Sequence, residues 1–187
     1  MKKAWIRFAV LLILAVLFLS FALFAGVLAP FDPLESHYTD MLKAPNSTYI
    51  FGTDQLGRDL FSRILYGGKS SLLIAFTVTA IISSVGILVG TIAGFTGGIF
   101  DNLLMRFSDM LMAFPGYIFT IALVSFIGVG LPNMILAMSL TGWTYYARIS
   151  RSLVLSVKNN VYIEQARLGG ASNWKILLHY IIPNVLP

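Results

Sequence analysis

Cysteine is absent from this 187-residue chain, which excludes disulfides and thiolate metal sites. Charge is scarce. Only 11% of residues are charged, against roughly 25% in an average globular chain, too few to clothe a soluble core of this length. The two histidines, His37 and His179, stand far apart and suggest no metal site by spacing. No G-x-x-x-x-G-K-[ST] phosphate loop occurs, so no nucleotide site is expected on this chain. Nor does any Asp, Glu, Lys, Arg or His fall near the middle of a long apolar run. Proton- and ion-coupled carriers and voltage sensors keep ionisable groups there. The energy for any transport is therefore expected from a partner.

What the chain has instead is apolar length: 57% hydrophobic residues and a mean hydropathy of +0.82. Uncharged runs of about 18 residues or more mark membrane-span candidates, and the class read from them is an all-α polytopic bundle. Four spans are expected, at residues 8–28, 71–95, 107–127 and 132–149. The first run is longer than the apolar core of a secretory signal and lacks a clear small-residue cleavage site, so a retained helix is expected. Pro30 and Pro33 end it. The last two spans divide at GVGLPN, residues 128–133, where Gly frees the backbone and Pro cannot continue a helix. DNLLMRFSD, residues 101–109, reads as a charged connector. The domains expected are an N-terminal membrane helix at 1–30, an extracytoplasmic loop at 31–69 and a membrane domain at 70–187.

Orientation follows from basic residues. With the N-terminus in the cytoplasm, Lys2, Lys3, Arg7, Arg106, Arg148, Arg151, Lys158, Arg167 and Lys175 lie inside. Lys43, Arg58, Arg63 and Lys69 lie outside. The tail from residue 160 onward then faces the cytoplasm.

Several local patterns carry two readings each. Gly86, Gly90 and Gly94 are four apart, which lines one helix face for close approach of another helix; glycine is also common in membrane helices generally. Pro115 implies a kink, useful either to a moving transporter or simply to packing. Asp59 and Arg63 have the acid-before-base spacing of a helical ion pair, and Thr53 or Asp54 could cap that helix. Asp54 and Asp59 have no base, nucleophile or metal ligand beside them, so no catalytic residues are expected. Asn46-Ser-Thr48 has the glycosylation pattern.

The tail reads as helix, Gly169-Gly170 break, and a second helix capped by Ser172. Trp174, Leu177, Leu178 and Ile181 then recur at helical spacing. Such a unit can seat in a groove on a soluble partner or lie on lipid headgroups.

The same tail resembles the EAA loop of ABC importer permeases, which reads roughly E-A-A, three residues, G, nine residues, I, one residue, L-P. Glu164, Ala166, Gly170 and Pro183 stand at matching positions, followed by departures at Gln165, Tyr180 and Ile182. Gly169 lies beside the matched glycine. A second segment, FGTDQLGRDLFSRILYGGKSSL, is similar to the G-T-D-x-x-G-R-D-x-[FL]-S-R signature of C-type permeases in dipeptide, oligopeptide and nickel importers. Gly52, Thr53, Asp54, Gly57, Arg58, Asp59 and Arg63 carry it. Residues 97–115 and 143–152 also resemble that family.

The resemblance implies a permease subunit that forms half of a pathway for peptides or nickel and metal chelates. Its implied partners are a second, B-type permease, two ATP-binding subunits and an extracytoplasmic solute-binding protein. ATP and Mg would reside on the ATPase subunits, with no cofactor on this chain. The loop at 160–187 would couple the two, and the chain itself would be no enzyme. Family members usually have six spans, two of them after the loop, so a sequence stopping at Pro187 is expected to be partial. The competing readings are a non-ABC channel or secondary carrier with an interfacial tail, and a membrane-embedded assembly subunit without a pathway.

Overall fold

The computed structural model describes residues 2–185, with side chains from 5 to 184. Met1, Leu186 and Pro187 lie outside the described residues, and so do the Lys2 and Lys3 side chains counted in the orientation. All regular structure among the described residues is helical; the one β-bridge is isolated, between Thr53 and Asp59. The architecture is therefore the all-α membrane bundle expected from the apolar runs. The chain divides into two compact units, Met1–Ala75 and Phe76–Pro187.

The first unit opens with α1 (Lys2–Leu23), whose exposed Leu, Ile, Val and Phe side chains suit a lipid surroundings. One helical turn, α2 (Ala25–Leu28), follows a break at Phe24. The polar loop then folds back on the start of α3 (Leu60–Thr96). There the Phe31 amide donates to Ser62 Oγ at 3.2 Å, and the Phe31 and Tyr49 rings pack at a tilt with their centres 5.2 Å apart.

Where the sequence suggested a helix over 71–95, α3 begins eleven residues earlier, at Leu60. Asp59 explains this. Its buried carboxylate accepts from the Ser62 amide at 2.8 Å and the Ser62 hydroxyl at 2.7 Å, the bonds of a helix N-cap. Neither Thr53 nor Asp54 caps the helix, and Asp59 forms no pair with Arg63. The cap occupies the carboxylate that the i,i+4 spacing had assigned to the ion pair.

In the second unit α3 ends at Thr96, and α4 (Gly98–Ala113) starts after Gly97 alone. Residues 101–109 are thus helix rather than connector, because their acidic side chains find arginine partners on a neighbouring helix. Beyond Pro115 comes α5 (Gly116–Ile127), bent 85° from α4. Proline has no amide proton to give the helix, and Phe114, preceding it, takes the extended backbone that a pre-proline residue prefers. The expected kink is a full break.

Gly128 (φ 104°) turns the chain into α6 (Leu131–Val157), where Pro132 sits harmlessly in the first turn. Asn133 Nδ2 donates to the carbonyls of Ile127 and Gly128, satisfying the end of α5. Among the described residues two helices, Trp5–Leu23 and Leu60–Thr96, are long and apolar enough to cross a membrane, and the bent α4–α5 pair counts as a third where its two arms are taken as one broken span. The fourth expected span lies within α6, which carries Thr141, Thr144, Tyr145, Tyr146, Arg148 and Arg151 and is too polar to pass on length and composition.

Helix α6 is the centre of this unit and packs against α4 and α5. The glycine stripe of α3 lies along it. A Cβ on Gly86 would come within 2.5 Å of the Trp143 carbonyl oxygen. One on Gly90 would land on the Ala147 carbonyl, and one on Gly94 would lie 3.0 Å from Val154 Cβ. Three glycines let the α3 and α6 backbones touch along three turns, the geometry small residues permit between membrane helices.

Candidate functional site

Two regions hold the residues singled out by sequence. In the loop ahead of α3, the Asp54 carboxylate organises a tight turn. It accepts from the Leu56 amide at 2.8 Å, the Arg58 amide at 3.1 Å, Arg58 Nε at 2.9 Å and Arg63 Nη1 at 2.7 Å. Partial burial by itself would raise its pKa, but the Arg58 guanidinium, the two amides and the Arg58 charge outweigh that and hold it at about 2. Gly57 closes the turn at φ 72°, where any Cβ would meet the His37 carbonyl.

Gly52 does the same at φ 75° against the Lys43 carbonyl. Buried Thr53 donates its hydroxyl to the Asp40 carbonyl and accepts from the Lys43 amide at 2.9 Å. Asp40 in turn accepts from Lys43 Nζ at 2.5 Å and the Tyr49 hydroxyl at 2.6 Å. These bonds lower the Asp40 pKa, and the bond to Asp40 raises that of Tyr49.

Gly52, Thr53, Asp54, Gly57, Arg58, Asp59 and Arg63 are therefore brought together as one hydrogen-bonded scaffold. Asn46 forms a local turn, its Oδ1 accepting from the Thr48 and Tyr49 amides, both at 2.9 Å. Asp54 and Asp59 face different partners: Asp54 takes Arg58 and Arg63, and Asp59 takes Ser62.

The second region is the tail. After α6 comes α7 (Val161–Leu168), carrying Glu164, Gln165 and Ala166. Its end is sealed by two bonds: the Gly170 amide to the Arg167 carbonyl and the Ala171 amide to the Ala166 carbonyl, both at 3.0 Å. With Gly170 at φ 82° this is a Schellman turn, which needs a left-handed residue at that place. Ser172 Oγ accepts from the Lys175 amide at 3.3 Å and caps α8 (Asn173–Ile176).

A π-helical turn, Leu177–Ile181, leads into α9 (Ile182–Val185), which contains Pro183. The wider i→i+5 turn changes the register. Ile176, Leu177 and Ile181 are buried, whereas Trp174 and Leu178, placed on the same apolar stripe as Leu177 and Ile181 by regular helical spacing, are exposed.

Val154, Ile163, Ile176, Leu177 and Ile181 form a single buried cluster, with Phe95 and Tyr180 packed against it. The tail is thereby fastened to the end of α6 by its apolar face. Glu164, Gln165, Gly169, Gly170 and Pro183 are exposed, with Ala166 half-buried. An apolar cavity of about 390 Å³ lies beside it, lined by Ile92, Phe95, Thr96, Asn173, Trp174 and Leu177.

Sequence reasoning missed a third group. Asp101, buried in the first turn of α4, receives Arg151 of α6 in bidentate fashion, Nε at 2.6 Å and Nη2 at 2.7 Å. Lys158 Nζ donates to the Gly94 carbonyl at 2.8 Å, and Arg148 pairs with Asp109 on the surface. The signal was available: two acids and two arginines in otherwise apolar surroundings need partners.

Residues 86–187, which include the glycine stripe and the whole tail, match the family described as "Binding-protein-dependent transport system inner membrane component". The chain belongs to this family. Among its relatives, the probable D,D-dipeptide transport system permease protein DdpC of Escherichia coli (strain K12) is 36% identical over 175 residues, 94% of this chain and 59% of that protein. The oligopeptide transport system permease protein OppC of Bacillus subtilis (strain 168) is 35% identical over 191 residues, covering 99% of this chain and 63% of its own length. The nickel transport system permease protein NikC of Escherichia coli (strain K12) is 34% identical over 187 residues, 100% of this chain and 67% of that protein.

The C-type permease resemblance thus extends along nearly the whole chain, and the chain spans about three fifths of the length of most of these relatives. Family and helices together make it a multi-pass membrane protein.

Proposed function

We propose that this chain is part of the permease subunit of an ATP-binding-cassette importer for peptides or for nickel and metal chelates. The observation that carries the proposal is the α7–α8 element. It exposes Glu164, Gln165 and the Gly169–Gly170 turn while its apolar side is fixed to α6 through Ile163 and Val154. A rigid two-armed surface built this way can receive a push and pass it to the helices above.

In this reading two ATP-binding subunits supply the work, and ATP and Mg reside on them. The chain itself carries no cofactor and catalyses no reaction. A B-type permease completes the pathway, and an extracytoplasmic solute-binding protein delivers the cargo. The protein lies in the cytoplasmic membrane with its N-terminus and coupling loop inside. The Asp54 scaffold, at 31–69, is an outer structural element. The membrane domain at 70–187 includes the coupling loop at 160–187.

Co-expression of the full-length subunit with its companion subunits tests the assembly, and uptake of a labelled dipeptide against radioactive nickel tests the cargo. An ATP-binding subunit is expected to co-purify, and one of the two cargoes is expected to accumulate in an ATP-dependent manner. A chain that purifies without any ATPase and passes solute without ATP would instead fit a channel or secondary carrier.

A further inference from the structure

The last two turns of α6 are held to the corner between α3 and α4 by more than packing. Arg151 grips the buried Asp101 carboxylate with two charge-assisted bonds, at 2.6 and 2.7 Å. Lys158, at the C-cap of α6, reaches across to the carbonyl of Gly94 in the last turn of α3. Between these two ties, Gly94 admits Val154 at a contact distance of 3.0 Å for a Cβ.

Val154 is also a member of the cluster that fastens the coupling loop. One short stretch of α6 therefore touches the loop on one side and the α3–α4 corner on the other. The Asp101 side chain is 7% exposed and that of Arg151 29%, whereas the Asp109–Arg148 pair on the same two helices is 63% and 49% exposed. A desolvated bidentate pair resists separation far more than a surface pair. It also fixes orientation, since the planar fork of arginine meets both carboxylate oxygens at once.

We propose that Asp101 and Arg151 are positioning residues for transport: their ion pair, with Lys158 as a second tie, makes the α3–α4 corner travel with the coupling loop as one body. The inference rests on the permease reading and adds to it the joint through which the push leaves α6. If the joint is loosened, the loop still engages the ATPase, but its displacement is absorbed at the α6–α4 contact. ATP hydrolysis then continues without matching transport.

The test uses the full-length subunit in the assembled transporter, reconstituted in vesicles, and reads cargo transported per ATP hydrolysed. Asp101→Asn and Arg151→Gln are expected to lower that ratio about tenfold, within the range over which residues along a coupling route act, while the hydrolysis rate stays within about threefold. Exchanging the charges in D101R/R151D should recover most of the ratio, which a purely structural role for either side chain would not produce. Asp109→Asn should leave the ratio unchanged.

An unchanged ratio in the two single variants overturns the proposal. So does a proportional loss of hydrolysis and uptake, or an equal fall in Asp109→Asn. If Asp101→Asn does not assemble, Lys158→Met leaves the buried carboxylate paired and carries the same expectation, so an unchanged ratio there is equally fatal. A wild-type assembly without ATP-dependent uptake removes the permease reading and this inference together. Normal wild-type transport with indifferent variants removes the inference alone.

Discussion

Replacing Gly90 by alanine should force α3 and α6 apart. The added Cβ lands on the Ala147 carbonyl oxygen and lies 2.7 Å from its carbonyl carbon and 2.8 Å from its Cα. All are backbone atoms of a helix, so no rotamer change relieves the clash. Carbon atoms pack comfortably at about 3.5–4.0 Å, and the helices must therefore separate by roughly 1 Å, forfeiting about a quarter to a half of each opposed dispersion contact.

Overpacking of this kind costs about 1–3 kcal/mol, and the better helix propensity of alanine returns only about 1 kcal/mol. Gly67 provides the comparison within the same helix. Nothing stands within 4 Å of a Cβ there, so alanine should stabilise by about 0.8–1.0 kcal/mol. Thermal unfolding of the purified protein in detergent, followed by circular dichroism, separates the two. At about 2–4 °C per kcal/mol for a chain of this length, Gly90→Ala should melt below wild type and Gly67→Ala above it, several degrees apart. If Gly90→Ala melts at or above Gly67→Ala, the close α3–α6 contact is wrong.

Two further predictions concern the loop ahead of α3. Asp54 titrates at about 2 in the folded loop, below the roughly 3.9 of an unfolded chain. Its contribution is therefore complete above about pH 4 and lost as pH falls toward 2. Corrected amide-exchange protection across residues 52–60 should stay level from pH 7 to 5 and fall near pH 2, and Asp54→Asn should show low protection already at pH 7. Asp59→Ala removes the N-cap of α3 and should cost about 0.5–2 kcal/mol, read as faster exchange at Leu60–Arg63 with little change beyond Ala75; uniform protection across both variants would discount the scaffold.

Much of this structure was legible because apolar length and local turn chemistry are sequence properties. The four-residue glycine spacing marked the face of α3 that meets α6, and Gly169-Gly170 with Ser172 marked the turn and cap of the tail. What stayed hidden depended on partners distant in sequence. Asp59 and Arg63 have the spacing of a helical pair, yet a cap for the first and Asp54 for the second prevail. Residues 101–109 read as a connector because they are a short charged stretch between apolar runs, and fifty residues separate Asp101 from the arginine that lets it be helical and buried. The π-helical turn at Leu177–Ile181 shifted the tail's apolar register by an amount no regular period predicts. Leu177 and Ile181 of the apolar stripe are buried within the chain, whereas Trp174 and Leu178 of the same stripe stay exposed.

The central claim is that the Glu164–Gly170 loop transmits work from a separate ATPase. Gly170→Pro attacks it directly, because proline cannot adopt φ 82° and has no amide to donate to the Arg167 carbonyl. The measurement is ATP-dependent uptake by the reconstituted transporter, alongside the amount of subunit inserted in the membrane. The account predicts normal insertion with uptake lost; normal insertion with unimpaired uptake would contradict it.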